Sequence, residues 1–253
     1  LTNPPYLARN KNPDKHLYNK YKTNDLYKCF IKTLLQTPPN GGILIIPLNF
    51  WSSIREADTQ LRKDFLKLFR VHRINIFEEQ VFDDTSYTIC SFAFDKFNGS
   101  GNDELNCFVY PRNKQMLIPL TNGIIGGELY TLPINTDYTI ERLTKTTKHP
   151  ENTTNINLHC IDTPSKPLGL TMVASDETIL DNTPNLSMRS FATIVITPPI
   201  PLERQQILVK QFNKFITDKR AMYHSLFLTN YRDKYRKRIS FQLCFRILGY
   251  LLK

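Results

Sequence analysis

Leu1-Thr2-Asn3-Pro4-Pro5-Tyr6 opens the chain. The next apolar landmark is Gly41-Gly42-Ile43-Leu44-Ile45-Ile46-Pro47-Leu48-Asn49-Phe50-Trp51. Asn-Pro and Pro-Pro are turn dipeptides. Two successive prolines fix φ at about −65° and remove two N–H groups, so the loop is stiff and polar mainly through its carbonyls and the Asn3 carboxamide. Tyr6 adds a flat aromatic face. An ordinary surface turn reads the same way, so the elements around the loop must decide between a turn and a site.

Outward from the loop, residues 7–23 are rich in Asn, Lys and Tyr and read as a surface loop or broken helix. Thr23 or Asn24 can cap a helix running to about Leu35, with Leu26, Phe30 and Leu34 at i, i+4, i+8 and Ile31 and Leu35 alongside. Pro38, Pro39 and Gly41-Gly42 end it. The continuous apolar run Gly42–Leu48 reads as a buried strand in a parallel sheet covered on both faces. A helix over about Ile54–Phe69 follows, with Leu61, Phe65, Leu68 and Phe69 on one side. Val71–Phe77 and Ser86–Phe94 then read as strands, separated by the turn Phe82-Asp83-Asp84-Thr85.

With these pieces placed, the segment resembles the second half of the catalytic domain of N6-adenine DNA methyltransferases of the gamma class, related to restriction-modification enzymes. Four stretches carry the resemblance, in the family's order: Asn3-Pro4-Pro5-Tyr6, Asn24-Asp25-Leu26-Tyr27-Lys28-Cys29-Phe30, the Gly41-to-Trp51 run, and Phe82-Asp83-Asp84-Thr85-Ser86-Tyr87-Thr88-Ile89. It covers roughly residues 1–96. The resemblance implies an α/β fold built on part of a class I, Rossmann-like methyltransferase sheet, with S-adenosyl-L-methionine as methyl donor. It also implies roles. The Asn3 side-chain oxygen and the Pro4 carbonyl would hold the target amino group, with Pro5 stiffening the loop. Tyr6 would stack on one face of the base and Phe82 would contact the other. Asn3 would also border the cofactor. A base inside a duplex cannot reach such a pocket and must be flipped out. Trp51 reads as a core or loop anchor.

The family's Gly-containing cofactor loop and its ribose-holding acidic residue precede the Asn-Pro-Pro-Tyr loop. Neither is expected here, so the sequence reads as a fragment or as one half of a split enzyme, partnered by a separate N-terminal cofactor-binding segment.

Composition agrees with a polyanionic partner. The 253 residues carry a net charge of +10 and the pI is 9.3, with 41% apolar residues to build a core. From Leu202 to Lys253 there are 12 Lys/Arg against 3 Asp/Glu, so nearly the whole excess lies in the last fifth. The five cysteines are widely spaced without a Cys-x-x-Cys pair, and the histidines are scattered. A disulfide framework or metal site is not expected, and a reducing, cytoplasmic setting is. No apolar run is long enough to span a bilayer.

Asn98-Gly99-Ser100-Gly101-Asn102 reads as a linker, dividing a catalytic segment (1–97) from a target-recognition-like region (98–200). In that region strands are expected at Cys107–Tyr110, Met116–Leu120, Glu128–Leu132, Tyr138–Leu143, Asn155–Ile161, Gly169–Val173 and Phe191–Ile196. Pro198-Pro199-Ile200-Pro201 then leads into a basic helical tail (201–253): a helix from Leu202 to about Leu228, a basic run, and a last apolar helix, Ile239–Leu252. Within the run, Arg232, Lys234, Arg236, Lys237 and Arg238 are set among Tyr231 and Tyr235, which suits contact with double-stranded DNA.

The expected function is sequence-specific adenine-N6 methylation of DNA. The alternatives are a non-catalytic DNA-binding module, or a methyltransferase acting on protein glutamine or RNA.

Overall fold

The computed structural model describes residues 1–97, 99, 102–180, 189–230 and 237–253. The chain divides into two compact units. The first is Leu1–Gly127 with Thr229–Tyr235, and the second is Glu128–Leu228 with Arg236–Lys253.

The first unit is built on a mixed sheet. Its strands are β1 (Gly41–Pro47), β2 (Phe69–Phe77), β3 (Ile89–Lys96), β4 (Glu104–Tyr110), β5 (Lys114–Thr121) and β6 (Ile124–Ile125), in the order β1-β3-β2-β4-β5-β6. The helices are α1 (His16–Tyr21), α2 (Leu26–Gln36), α3 (Asn49–Ser52) and α4 (Glu56–Leu68). The parallel sheet expected around Gly42–Leu48 is corrected here: β1 pairs antiparallel with β3 throughout, and its only parallel pairing is an isolated bridge from Leu44 to Thr2. The reason is topological. The short connection from β2 to β3 turns the chain back, and β3 inserts between β1 and β2. It therefore runs against both, while β1 and β2 run parallel to each other through the α4 crossover.

The sheet does not stop at the expected linker. β4 adds to β2 in parallel and carries β5 and β6 with it, so the first compact unit ends at Gly127 rather than near 97. Residues 98, 100 and 101 of the linker lie outside the described residues.

Aromatic packing holds α3 and α4 to the sheet. Phe50 and Trp51 meet at 5.0 Å, Trp51 and Phe92 at 5.2 Å, Phe65 and Phe69 at 4.8 Å, and Phe65 and Phe94 at 5.2 Å between ring centroids. Trp51 is buried in this cluster, as an anchor would be. α4 buries Asp58, Leu61, Arg62 and Phe65, spaced three or four apart on one face. α2 turns a different face inward from the expected Leu26–Phe30–Leu34 stripe. It buries Tyr27, Lys28 and Ile31, because the Lys28 ammonium is drawn to Asp58 of α4 at 2.5 Å. Removing one partner of a buried ion pair leaves the other uncompensated. Since Ser53 still donates to Asp58 at 2.7 Å, Lys28→Met is expected to cost about 2 kcal/mol, at the lower end for such pairs. Urea unfolding measures it.

The second unit holds an antiparallel sheet ordered β7-β10-β8-β9, from β7 (Thr139–Arg142), β8 (Thr153–His159), β9 (Gly169–Met172) and β10 (Phe191–Thr197). Helices α5 (Leu202–Tyr223) and α6 (Phe241–Leu251) pack against it and against each other. The expected strand at Glu128–Leu132 is instead a 3-10 turn, Gly127–Thr131. α5 ends five residues before Leu228, because His224 and Ser225 take left-handed backbone conformations that stop it. Ser240 caps α6 by accepting from the Leu243 N–H at 3.2 Å.

Asn213 of α5 pins the start of β9. It accepts from the Leu170 N–H and donates to the Leu170 carbonyl, each at 2.9 Å. Gly169 sits at φ +155°, and a Cβ there would lie 2.5 Å from Asn213 Oδ1. Gly169→Ala therefore both strains the backbone and displaces the clamp. It is expected to cost about 2 kcal/mol, read as a lower thermal midpoint.

All five cysteines are buried and free. Among the described residues no group of His, Cys, Asp or Glu is arranged to hold a metal ion, and no helix is long and apolar enough to cross a membrane.

Candidate active site

The Asn-Pro-Pro-Tyr loop starts at the edge of β1. The Thr2 N–H donates to the Ile43 carbonyl and the Ile45 N–H donates to the Thr2 carbonyl, both at 3.0 Å. This two-bond bridge sets where the loop leaves the sheet. Pro4 is then buried, Asn3 and Pro5 are exposed, and Tyr6 is half-buried. The Tyr6 hydroxyl lies against the Asn3 Oδ1 and the Ile45 carbonyl, the latter at 2.8 Å. The side chain that follows the prolines is thereby tied back to the one that precedes them, and both to β1. Burial, with a smaller contribution from Cys90, pushes the Tyr6 phenol well above its usual range, so it stays protonated and able to donate at neutral pH.

Phe82 arrives from the β2–β3 connection. Its ring centroid stands 6.3 Å from that of Tyr6, with the planes tilted by 50°. On another side, Tyr27 meets Tyr6 edge-on at 6.4 Å and 85°. Asn3, Tyr6 and Phe82, distant in sequence, are brought to one place. Two rings holding a flat base between them need about 7 Å and near-parallel planes. In this structure the Tyr6 and Phe82 rings are slightly too close and too tilted, so such a base requires Phe82 to turn aside.

Behind Tyr27 lies a cavity of about 660 Å³ lined by residues that were assigned no binding role from the sequence. Arg9 and Lys15 come from the segment after the loop, Tyr27 and Lys28 from α2, Asn49 from α3, and Arg55 from the turn before α4. Tyr27 is 2% exposed, and its hydroxyl has no hydrogen-bond partner among the described residues; the same is true of the Asn49 Oδ1. Burial first, then Asp58 and Asp25, raise the Tyr27 phenol far above the ordinary range. Nothing in the sequence marks these positions, because an orphaned polar atom is defined by what folds around it.

The basic run is different in the structure. Arg232, Lys234 and Arg236 lie outside the described residues. Lys237 is 1% exposed, in the interior rather than on a surface open to phosphate. Arg238 is half-buried and donates to the Arg189 carbonyl. Backbone bonds on either side of Arg238, from the Asp162 N–H to the Lys237 carbonyl (3.1 Å) and from the Ile239 N–H to the Cys160 carbonyl (2.9 Å), hold this stretch against residues 160–162.

Residues 1–82 match the family described as Eco57I restriction-modification methylase. No curated protein matches the chain. Among solved structures, the chain is similar to the M protein of the type I restriction enzyme EcoKI, at 18% identity over 38% of this chain and 22% of that one, with a TM-score of 0.29. It is also similar to the type IIG restriction endonuclease BpuSI, at 13% identity over 57% and 24%, TM-score 0.35. For the type IIL restriction-modification enzyme MmeI, in a complex with DNA, the values are 10% identity over 65% and 24%, TM-score 0.34. The chain spans about a quarter of the length of these solved chains.

Proposed function

We propose that this chain carries the amine-binding part of a DNA methyltransferase that transfers a methyl group from S-adenosyl-L-methionine to the N6 amino group of adenine. The observation that carries the reading is the gathering of Asn3, Tyr6 and Phe82 at the edge of β1, inside the segment that matches the methylase family.

An exocyclic amine conjugated to a ring is a poor nucleophile, because its lone pair is delocalised. The Asn3 Oδ1 and the Pro4 carbonyl each accept one N–H of that amine. This draws the nitrogen towards tetrahedral geometry and frees the lone pair. Tyr6 offers its face to the extruded base, and its hydroxyl keeps the Asn3 carboxamide in place. Phe82, once turned, covers the second face. The transfer would break the donor's S–CH3 bond, leaving a thioether, and the methylated nitrogen would lose one proton to water. The chemistry needs orientation and polarisation, with no covalent intermediate on the protein. S-adenosyl-L-methionine supplies an electrophilic methyl on its sulfonium. Of this chain's residues, Asn3 is the one assigned to border it, and its exposed side chain leaves room for the donor. No further donor contact is assigned to the residues of this chain. The setting is intracellular, on double-stranded DNA.

Methyl transfer from labelled S-adenosyl-L-methionine to A·T-rich duplex DNA tests the proposal, with the chain alone and with a cofactor-binding segment added. Label on adenine N6 is the expected result when both are present. DNA bound without label in either mixture would leave a non-catalytic binding module. Label on RNA or on protein glutamine instead would move the acceptor and reject adenine.

A further inference from the structure

We propose that the cavity behind Tyr27 seats one phosphodiester group of the DNA strand, an inference that rests on nucleic acid being the substrate. Four observations converge on an anionic ligand. The lining cations Arg9, Lys15, Lys28 and Arg55 outnumber the lining carboxylates Asp25 and Asp58. The Asp58 carboxylate is already compensated, taking the Lys28 ammonium on one oxygen (2.5 Å) and the Ser53 hydroxyl on the other (2.7 Å). The Tyr27 hydroxyl, almost wholly buried, has no acceptor among the described residues. Arg55 is exposed, and its guanidinium makes no hydrogen bond or ion pair with a described residue.

A buried hydroxyl without a partner is rare in a folded protein, and a ligand oxygen is its natural acceptor. A phosphodiester presents two such oxygens and one negative charge. One oxygen takes the Tyr27 O–H and the third Lys28 N–H, since Asn24 (2.9 Å) and Asp58 engage the other two. The other oxygen takes the Arg55 fork. Asn49 also lines the cavity, and its carboxamide Nδ2 can serve as a further donor. The volume of about 660 Å³ admits a phosphate with parts of its two sugars. Tyr27 is also the edge-on neighbour of Tyr6. One wall thus separates the phosphate seat from the base-stacking ring, and a strand held at the cavity delivers its neighbouring nucleotide to the loop.

The test is equilibrium binding of an A·T-rich duplex to the full chain over a range of salt, for the wild type, Arg55→Gln and Tyr27→Phe. Arg55→Gln is expected to weaken binding and to lower the slope of log affinity against log salt by about 0.9, the value for one phosphate contact. Tyr27→Phe is expected to weaken binding about threefold to tenfold with the slope unchanged. Its thermal midpoint should hold or rise, because the change removes an orphaned hydroxyl. A merely structural Tyr27 would do the opposite, lowering the midpoint and sparing affinity. An unchanged slope for Arg55→Gln, or wild-type affinity for Tyr27→Phe, overturns the seat. If both shifts appear while no label reaches adenine, the seat stands and the methylation reading falls. If the wild type binds no duplex, the DNA occupant is rejected; a midpoint raised by inorganic phosphate in the wild type but not in Tyr27→Phe would then reassign the cavity to free phosphate.

Discussion

Asn3→Ala is expected to reduce methyl transfer by about 10²- to 10³-fold, the scale seen when one preorganised group that meets a developing charge is removed. The loss should fall on kcat, since the carboxamide acts on the amine as its lone pair is freed, while the duplex is held elsewhere. Asn3 is exposed and its side chain takes the Tyr6 hydroxyl, so stability and DNA affinity should stay near wild type. Tyr6→Phe is the informative companion. It keeps the stacking face and loses the hydroxyl that ties Asn3 and the Ile45 carbonyl together, so a smaller loss of about tenfold is expected, again in kcat. Single-turnover transfer with the cofactor-binding segment present measures both. Unchanged turnover in Asn3→Ala would remove the residue from the mechanism.

Arg62→Met is expected to destabilise the first unit by about 3 kcal/mol. The Arg62 side chain is fully buried in α4 and satisfies three backbone carbonyls: Gly123 beyond β5, Phe50 at 2.5 Å, and Ser53 at 3.0 Å. Each carbonyl left without a donor costs about 1–3 kcal/mol. Against this, the variant is relieved of a desolvated charge. Burial is what lowers the guanidinium to about 10, with Asp58 opposing the shift, and it is still protonated at neutral pH. The relief places the net effect at the lower end of the summed carbonyl cost. Methionine has a similar length and fills most of the space, so the measurement isolates the lost hydrogen bonds rather than a void. A urea midpoint unchanged from wild type would mean that the α3 and β5–β6 connections hold without Arg62.

Arg62 also shows why periodicity misreads such positions. Leu61 and Phe65 were legible on the apolar side of a helix over about 54–69, and the structure puts them there. Arg62 and Asp58 share the same buried face, and a pattern of apolar residues does not pick out charged ones. Only the carbonyls and the Lys28 ammonium that converge on them make burial favourable. The same reason rotates α2, whose buried face includes Lys28 while Leu26, Phe30 and Leu34 are half-buried.

The candidate site divides along this line too. Two prolines after an asparagine restrict the backbone whatever the fold, so a stiff loop with carbonyl acceptors and an aromatic face was readable from Asn3 to Tyr6. The strand and helix positions through residue 96 were readable as well, because each is a local pattern of side chains. Pairing direction was not: β1 is antiparallel to β3 because a chain reversal 40 residues later inserts a strand beside it. Charge density pointed to residues 232–238; of the two described, Lys237 is placed inside by burial, which charge density does not show. The cavity at Tyr27 belongs wholly to the tertiary structure. Its cations come from three separate segments, and its hydroxyl lacks an acceptor among the described residues only because of how the folded chain closes around it. Local sequence determines what a short stretch of backbone can do; long-range packing decides which polar groups lose water and which are left wanting a partner.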